Sequence, residues 1–585
     1  MVTVHGLSNE PVYRVFPLRA TVRGLRRWLR YVAGVLILAG LVVTIAFPQA
    51  ALNAIQLPLF AVFSTTRMVV AYLLSLVFAI AYGHTAATNK RAAVVLLPVL
   101  DVLQSIPILG FFPAALVFFV ATFHGHPIGI ELAVVFLIFT SMSWNMAFGV
   151  YESLTTIPQD LEAAAASFGL RGWLRFRHLA FPAAIPKLVY NSILSWTNGW
   201  FFLVASEIFT AGGTEFKRPG LGAFIAIAGR NGDAASIAIG IGVLAAVVLT
   251  LDIFLWRPLS AYSERFRMET VTGREIPRVP SPYERFRWLP RLPRLRQWTL
   301  ARLQPVAARS HRMSLRFERA YSGHPKVIKE VRRIDLALFL IVFVLVVSTG
   351  LIGLAQMFLR PLPPSAALLP TAAFLSFSRL LLAYGIALAW TIPVAAFIGE
   401  SERASRYLTP AFELFGSLPA TALLPVIVGF ALLVTASFGD AAQLAAILIA
   451  LFSMQWYLLF NLIAGVRSIP DDLKEAARSF GLRGRAYWRR LLLPAIAPSL
   501  LTGSITAWGA GWNALIVSEY TQYANRPFEV PGLGSLLNHA VFDPVPDSEM
   551  LLLTILTMIV VVLAMNKLLW RPLFRRASQR FRLEV

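Results

Sequence analysis

The residues best placed to do chemistry come twice. One loop reads Ile157-Pro158-Gln159-Asp160-Leu161-Glu162-Ala163-Ala164-Ala165-Ala166-Ser167-Phe168-Gly169-Leu170-Arg171-Gly172. A second reads Ile469-Pro470-Asp471-Asp472-Leu473-Lys474-Glu475-Ala476-Ala477-Arg478-Ser479-Phe480-Gly481-Leu482-Arg483-Gly484. Proline and carboxylates open each run, where the positive end of a helix dipole favours negative charge, and a glycine suited to a left-handed residue closes it. A basic segment follows, with Arg175, Arg177 and His178 in one copy and Arg485, Arg489 and Arg490 in the other, ahead of Pro182 and Pro494. A short helix rich in small residues, with a basic turn beside it, suits docking to a partner. The plainer alternative is an amphipathic loop resting on a bilayer.

Other candidate chemistry is sparse. None of the seven lysines follows a glycine, so the GxxxxGK[ST] loop that cradles phosphates is missing and ATP hydrolysis by that route is excluded. His124 and His126 have the spacing of a metal pair, but they sit in a short loop without a supporting acid, and no metal site is expected. The chain has no cysteine, which excludes disulfides and thiolate metal sites. No nucleophile, base and orienting group occur together, so the chain is not expected to be an enzyme. Polar residues inside apolar blocks are costly and therefore candidates for a pathway. Ser105, Pro107, Ser417 and Pro419 are the foremost of these, because a proline break frees backbone groups that could meet a small anion. Trp200, Trp512, Glu207 and Glu519 join them, the two glutamates at the outer end of a span, where they could gate, meet a partner or snorkel to the interface. Asp101 and Glu413, and Arg67 and Arg379, fit interfacial anchoring or interhelix pairing, and Gln104 matches Gly416, so the two sides of a site would differ chemically.

The elements that must position these residues are membrane spans. Of the 585 residues 57% are hydrophobic and 14% charged, with mean hydropathy +0.67, whereas soluble proteins carry roughly 25% charged residues. Apolar blocks at 29–47, 67–86, 92–122, 128–149, 184–208 and 236–255 are followed by a second set at 335–358, 379–398, 408–434, 441–462, 496–520 and 549–570. Each is of the order of the roughly 20 residues that cross a hydrocarbon core. The third block of each set is expected to break at its prolines, Pro98, Pro107 and Pro113, then Pro410, Pro419 and Pro425. The net charge of +23 does not point to nucleic acid, because the arginines cluster in loops between the blocks. Those loops, with the basic N-terminus and tail, fall on one side, which makes both termini cytoplasmic.

The two sets are copies. Arg67 and Arg379, Tyr72 and Tyr384, Trp144 and Trp456, Pro158 and Pro470, Gly169 and Gly481, Trp200 and Trp512, and Glu207 and Glu519 all differ by 312, without a gap from 67 to at least 222. Two tandem six-helix domains in parallel orientation follow, about 12 spans in an all-α membrane protein, with a pathway between the halves. The expected division is a basic N-terminus (1–30), a first domain (31–256), a Pro/Arg-rich linker (257–334), a second domain (335–570) and a basic tail (571–585).

At the paired loops the chain resembles a known family. Glu475-Ala476-Ala477, then Gly481, then Leu493-Pro494, resembles the EAA loop of binding-protein-dependent ABC importer permeases; in the first half Glu162 lies one residue earlier, before Ala163 and Ala164, with Gly169 and Pro182 in place. The segments Ser105 to Pro113, Ser417 to Pro425, Trp200 to Glu207 and Trp512 to Glu519 resemble the nitrate, taurine, sulfonate and bicarbonate group. The resemblance implies a type I importer permease in a bacterial inner membrane, moving a small anion such as nitrate, a sulfonate or bicarbonate. It also implies two separate ATPase subunits, which bind ATP and Mg, and an external solute-binding protein. This chain itself would hold no cofactor. The alternative is a secondary transporter driven by an ion gradient, which would need intramembrane carboxylates or histidines as a relay and would have no use for a duplicated docking helix.

Overall fold

A computed structural model describes residues 54–105, 107–211, 214–266, 348, 362–543, 545 and 547–580. The N-terminus, the block at 29–47, the block at 335–358 save residue 348, and the linker beyond 266 lie outside these residues. The described residues from Leu57 onward fall in one unit.

The first half contains α1 (Leu57–Thr88), α2 (Lys90–Ser105), α3 (Ile108–Thr122), α4 (Pro127–Thr155), α5 (Gln159–Ser167), α6 (Phe181–Glu207), the hairpin β1–β2 (Ile208–Ala211 and Thr214–Lys217), α7 (Leu221–Arg230) and α8 (Ala234–Leu251). The second repeats it as α9 (Leu369–Glu400), α10 (Glu402–Gly416), α11 (Ala420–Val434), α12 (Phe438–Arg467), α13 (Asp471–Ser479), α14 (Leu493–Ser518), β3–β4 (Tyr520–Tyr523 and Arg526–Glu529), α15 (Leu533–Phe542) and α16 (Ser548–Met565). The offset of 312 thus holds from helix to helix. It becomes 314 (547 − 233) at the N-caps Asp233 and Asp547, because the connection before α16 is two residues longer. Among the described residues, seven helices are long and apolar enough to cross a membrane.

Three expectations change. The third block of each half breaks once, at Pro107 and Pro419, which stand in extended conformation as N-caps of α3 and α11. Pro98, Pro113, Pro410 and Pro425 stay inside helices, each costing one backbone bond that neighbouring helices can absorb. The all-helical expectation also missed the two antiparallel hairpins, paired from Ile208 with Lys217 and from Tyr520 with Glu529. They occupy short segments between spans, too brief for apolar periodicity to give a signal. In addition, the last helix of each half runs on through a π turn, to Ser263 in one case and toward Arg580 in the other, past the boundaries expected at 256 and 570.

Helix packing rests on small residues. In an apolar solvent, burying side chains gives little drive, so close backbone approach and dispersion hold spans together. A Cβ on Gly199 would come 2.2 Å from the Met142 side chain, and one on Gly511 would come 2.4 Å from Leu380. Both glycines therefore let α6 and α14 close on their neighbours. The buried alanines 383, 387, 395 and 396 of α9 and 441, 442, 445, 446 and 450 of α12 serve the same contact in the second half.

α3 and α11 cross the seam. α3 packs on α14, α15 and α16 of the second half, while α11 packs on α6, α7 and α8 of the first. The pairing places the two proline breaks at the junction of the halves.

Candidate functional site

At the arginine-rich face, α5 and α13 fold alike. Each begins after an extended proline, Pro158 or Pro470, with carboxylates in its first turn. Each closes on a left-handed glycine, φ +70° at Gly169 and +71° at Gly481. The Leu170 amide then donates to Ala165 O and the Leu482 amide to Ala477 O, both at 2.9 Å, which satisfies helix-end carbonyls as a Schellman closure does. Only Ala165 and Ala477 are buried within these helices. Ala163, Ala164, Glu475 and Ala476 are exposed, and Phe168 and Phe480 are each 82% exposed.

The two loops differ in charge. Glu162 accepts from Arg175 Nε at 2.8 Å and also pairs with its Nη2. The Arg175 hydrogen bond and charge, acting against partial burial, hold the Glu162 carboxyl below its usual range. In the second copy Lys474 and Tyr487 take these places, and the Tyr487 hydroxyl turns to Glu400 at 2.7 Å.

At the seam, the Pro107 break leaves the first amides of α3 without helical acceptors, and Leu109 N–H donates to Asn513 Oδ1 of the opposite half at 3.2 Å. At the equivalent junction the Thr421 hydroxyl donates to the Phe201 carbonyl at 3.1 Å. Pro107 and Pro419 are buried, Ser417 is half-buried between α10 and α11, and Ser105 ends α2, its side chain outside the described set. Trp200 and Trp512 are buried within the packing of α6 and α14. Glu413 of α10 is exposed, and the Asp101 and Gln104 side chains are outside the described set. His126 caps α4 by accepting the Ile128 amide at 3.2 Å, an ordinary helix start.

The far ends of the spans hold a network that residue spacing alone does not assemble. Glu207 is 0% exposed and accepts from Ser64 Oγ at 2.6 Å, Arg67 Nη1 at 2.9 Å and the Gly222 amide at 2.7 Å. Glu519, also wholly buried, accepts from Ser376 Oγ at 2.6 Å, Arg379 Nη1 at 2.7 Å and the Gly534 amide at 2.7 Å. The two glutamates therefore do not snorkel. They anchor the connection behind each hairpin to the first described helix. Gly220 and Gly532 are fixed by this, since a Cβ on either would come within 2.2 Å of the carboxylate. Arg67 and Glu207 both recur in the repeat, and that shared recurrence was the available signal for pairing them. The halves differ again: Arg67 also grips Glu131 at 2.8 and 2.9 Å, and Arg218 lies 3.5 Å from that carboxylate. In the second half Gln443 and Val530 stand at those positions, so one cation–anion pair is missing as a unit.

Beside the second hairpin, His539 of α15 joins Glu529 of β4 at 2.7 Å and Asp543 at 3.0 Å. Burial pushes the ring's pKa down, but the bonds and charges of the two carboxylates outweigh it and raise it above 6.5. The tie between β4 and α15 is therefore complete below pH 6.5 and is lost as pH climbs through the raised value. The thermal midpoint difference between the chain and its His539→Gln variant should shrink between about pH 5.5 and about pH 8. A difference independent of pH would refute this.

The comparisons with known proteins agree with the duplicated geometry. The family model described as "Binding-protein-dependent transport system inner membrane component" matches residues 71–257 and again 391–569, more than half of the chain. The nitrate import permease protein NrtB of Leptolyngbya laminosa is 31% identical over 144 residues, 25% of this chain and 49% of its own length. The taurine transport system permease protein TauC of Escherichia coli is 30% identical over 145 residues, covering 25% and 50%. The bicarbonate transport system permease protein CmpB of Synechococcus elongatus is 29% identical over 145 residues, covering 25% and 49%. The chain thus spans about half the length of the curated relatives it matches. With one family match in each structural half, this chain belongs to the family of binding-protein-dependent transport system inner membrane components, as an ABC-type transport permease of the membrane.

Proposed function

We propose that the chain is the fused permease of an ATP-driven importer, whose two halves enclose the translocation pathway and whose α5 and α13 dock separate ATPase subunits. In this reading each half has six spans, the arginine-rich face and both termini are cytoplasmic, the hairpin face is external and meets a solute-binding protein, and the first spans lie in 29–47 and 335–358. The observation that carries it is the duplicated, largely exposed helix that displays Phe168 or Phe480 at its glycine closure. Two large aromatics held in the open by a rigid glycine closure suit burial in a partner. The substrate is proposed to be a small anion, supported by the likeness to the nitrate, taurine and bicarbonate permeases and by the helix breaks at Pro107 and Pro419. Ser105, Ser417 and the two prolines line the pathway, while Trp200, Trp512, Glu207 and Glu519 support its walls from within the packing.

The test is co-purification with the ATPase encoded beside the chain. Burying a phenylalanine contributes about 1.5–3 kcal/mol, so Phe168→Asp with Phe480→Asp should weaken ATPase capture by roughly tenfold or more. Undiminished capture together with undiminished ATP turnover would sink the docking role.

A further inference from the structure

Resting on the reading that the pathway runs between the halves, we infer that the β3–β4 hairpin is a latch on the external gate: its Ala524-Asn525 turn grips the end of α7 in the opposite half and must let go for the pathway to open outward.

The grip is made by backbone. A helix leaves its last carbonyls without intrahelical partners. At the end of α7 two of them are met from across the seam, Gly229 O, which also accepts the Gly232 amide, by the Ala524 amide at 3.1 Å and Arg230 O by the Asn525 amide at 2.7 Å. The turn can aim both amides one way because Ala524 and Asn525 are both left-handed, at φ 48° and 57°, as a two-residue hairpin turn requires.

The base of the hairpin, by contrast, is fixed firmly to its own half. Phe528 is buried against Phe438, with ring centroids 4.0 Å apart, and against Tyr523 at 6.1 Å. The Val530 amide donates to Glu519 O at 3.0 Å, next to the Arg379 anchor. His539 ties β4 to α15. A lever rigid at its base and held at its tip by two hydrogen bonds will release at the tip when the halves separate. The bonds are also replaceable, since water can meet both carbonyls and both amides once the tip lifts.

The connection that receives the latch is the short one. Asn231-Gly232-Asp233 joins α7 to α8, whereas the equivalent stretch of the second half, Asp543 to Asp547, is two residues longer and carries Pro544 and Pro546. The sequence also places Gly212-Gly213 where the second half has Ala524-Asn525. The latch is thus built from unlike halves.

The chain's lack of cysteine gives a direct test. A Cβ on Gly232 would lie 3.8 Å from that of Ala524, the separation found across disulfides. The Gly232→Cys, Ala524→Cys double variant is assembled as full chain with the ATPase and binding protein encoded beside it, in vesicles of Escherichia coli polar lipid. Disulfide formation is mapped by peptide mass, and binding-protein-stimulated ATP turnover is read before oxidation, after it and after reduction. The disulfide should form in the resting complex and lower stimulated turnover by roughly tenfold or more, with recovery on reduction. Complete cross-linking with unchanged turnover, or no cross-link in the resting complex, would overturn the latch. Because Gly232 has φ +67°, where cysteine is strained, the unsubstituted complex provides a second measurement. The Ala524 and Asn525 amides should exchange slowly at rest and roughly tenfold or more faster once ATP and vanadate trap the complex; equal protection in both states would also overturn it. Failure of the permease reading shows separately, as absence of ATP turnover in the unsubstituted complex, and takes the latch with it.

Discussion

Glu519→Ala should lower the thermal midpoint of the purified chain more than Glu207→Ala, although the two residues are equivalent in the repeat. In the second half Arg379 is buried with Glu519 as its ion-pair partner, and its other bonds go to the neutral Gln443 and the Pro531 carbonyl. Removing the glutamate strands a buried cation and leaves the Ser376 hydroxyl and Gly534 amide without their acceptor. Breaking one partner out of a buried pair costs about 3–5 kcal/mol. In the first half Arg67 keeps its two-pronged hold on Glu131 after Glu207 is lost, so the loss is closer to that of stranded hydrogen-bonding groups, about 1–3 kcal/mol. Restoring a carboxylate with Gln443→Glu in the Glu519→Ala background should recover part of the midpoint. Equal drops for the two single variants, with no recovery in the double, would show that the networks do not carry the stability assigned to them.

Gly481→Pro should abolish coupling to the ATPase while the membrane domain stays folded. Proline fixes φ near −65° and has no amide hydrogen, whereas Gly481 sits at +71° and donates to Arg478 O at 3.0 Å. The local cost is roughly 3 kcal/mol or more, enough to unwind the end of a nine-residue helix. No atom lies within 4 Å of a Cβ at this position, so the spans are not disturbed. Gly481→Ala keeps the amide and meets only the left-handed penalty of about 1–2 kcal/mol, and should fall between the two. The measurements are the thermal midpoint of the chain and ATP turnover of the assembled complex. Coupling in the proline variant within a factor of about two of the unsubstituted complex would refute the docking assignment.

The sequence by itself determined the class, the duplication and the loops. Apolar blocks long enough for a bilayer leave few alternatives to a membrane bundle, and residue types recurring at 312 force two copies of one fold. The loop helix was legible to the residue, because proline, carboxylates and glycine act locally through φ, the helix dipole and missing amides. Tertiary structure decided what depends on distant partners. Glu207 looked like the end of a helix near water, and only the approach of α1 shows it wholly buried with Arg67 and Ser64. Which proline breaks the third block was likewise undecidable from φ restrictions shared by all three; packing across the seam selected Pro107 and Pro419. The hairpins left no periodic signal, being pairs of four-residue strands, and the turn of the second is set by left-handed backbone and by the opposite half. The paired loops were thus written in the chain, and the asymmetry between halves acquired its physical form only in the fold: Glu162 engaged by Arg175, and Arg379 without a second carboxylate.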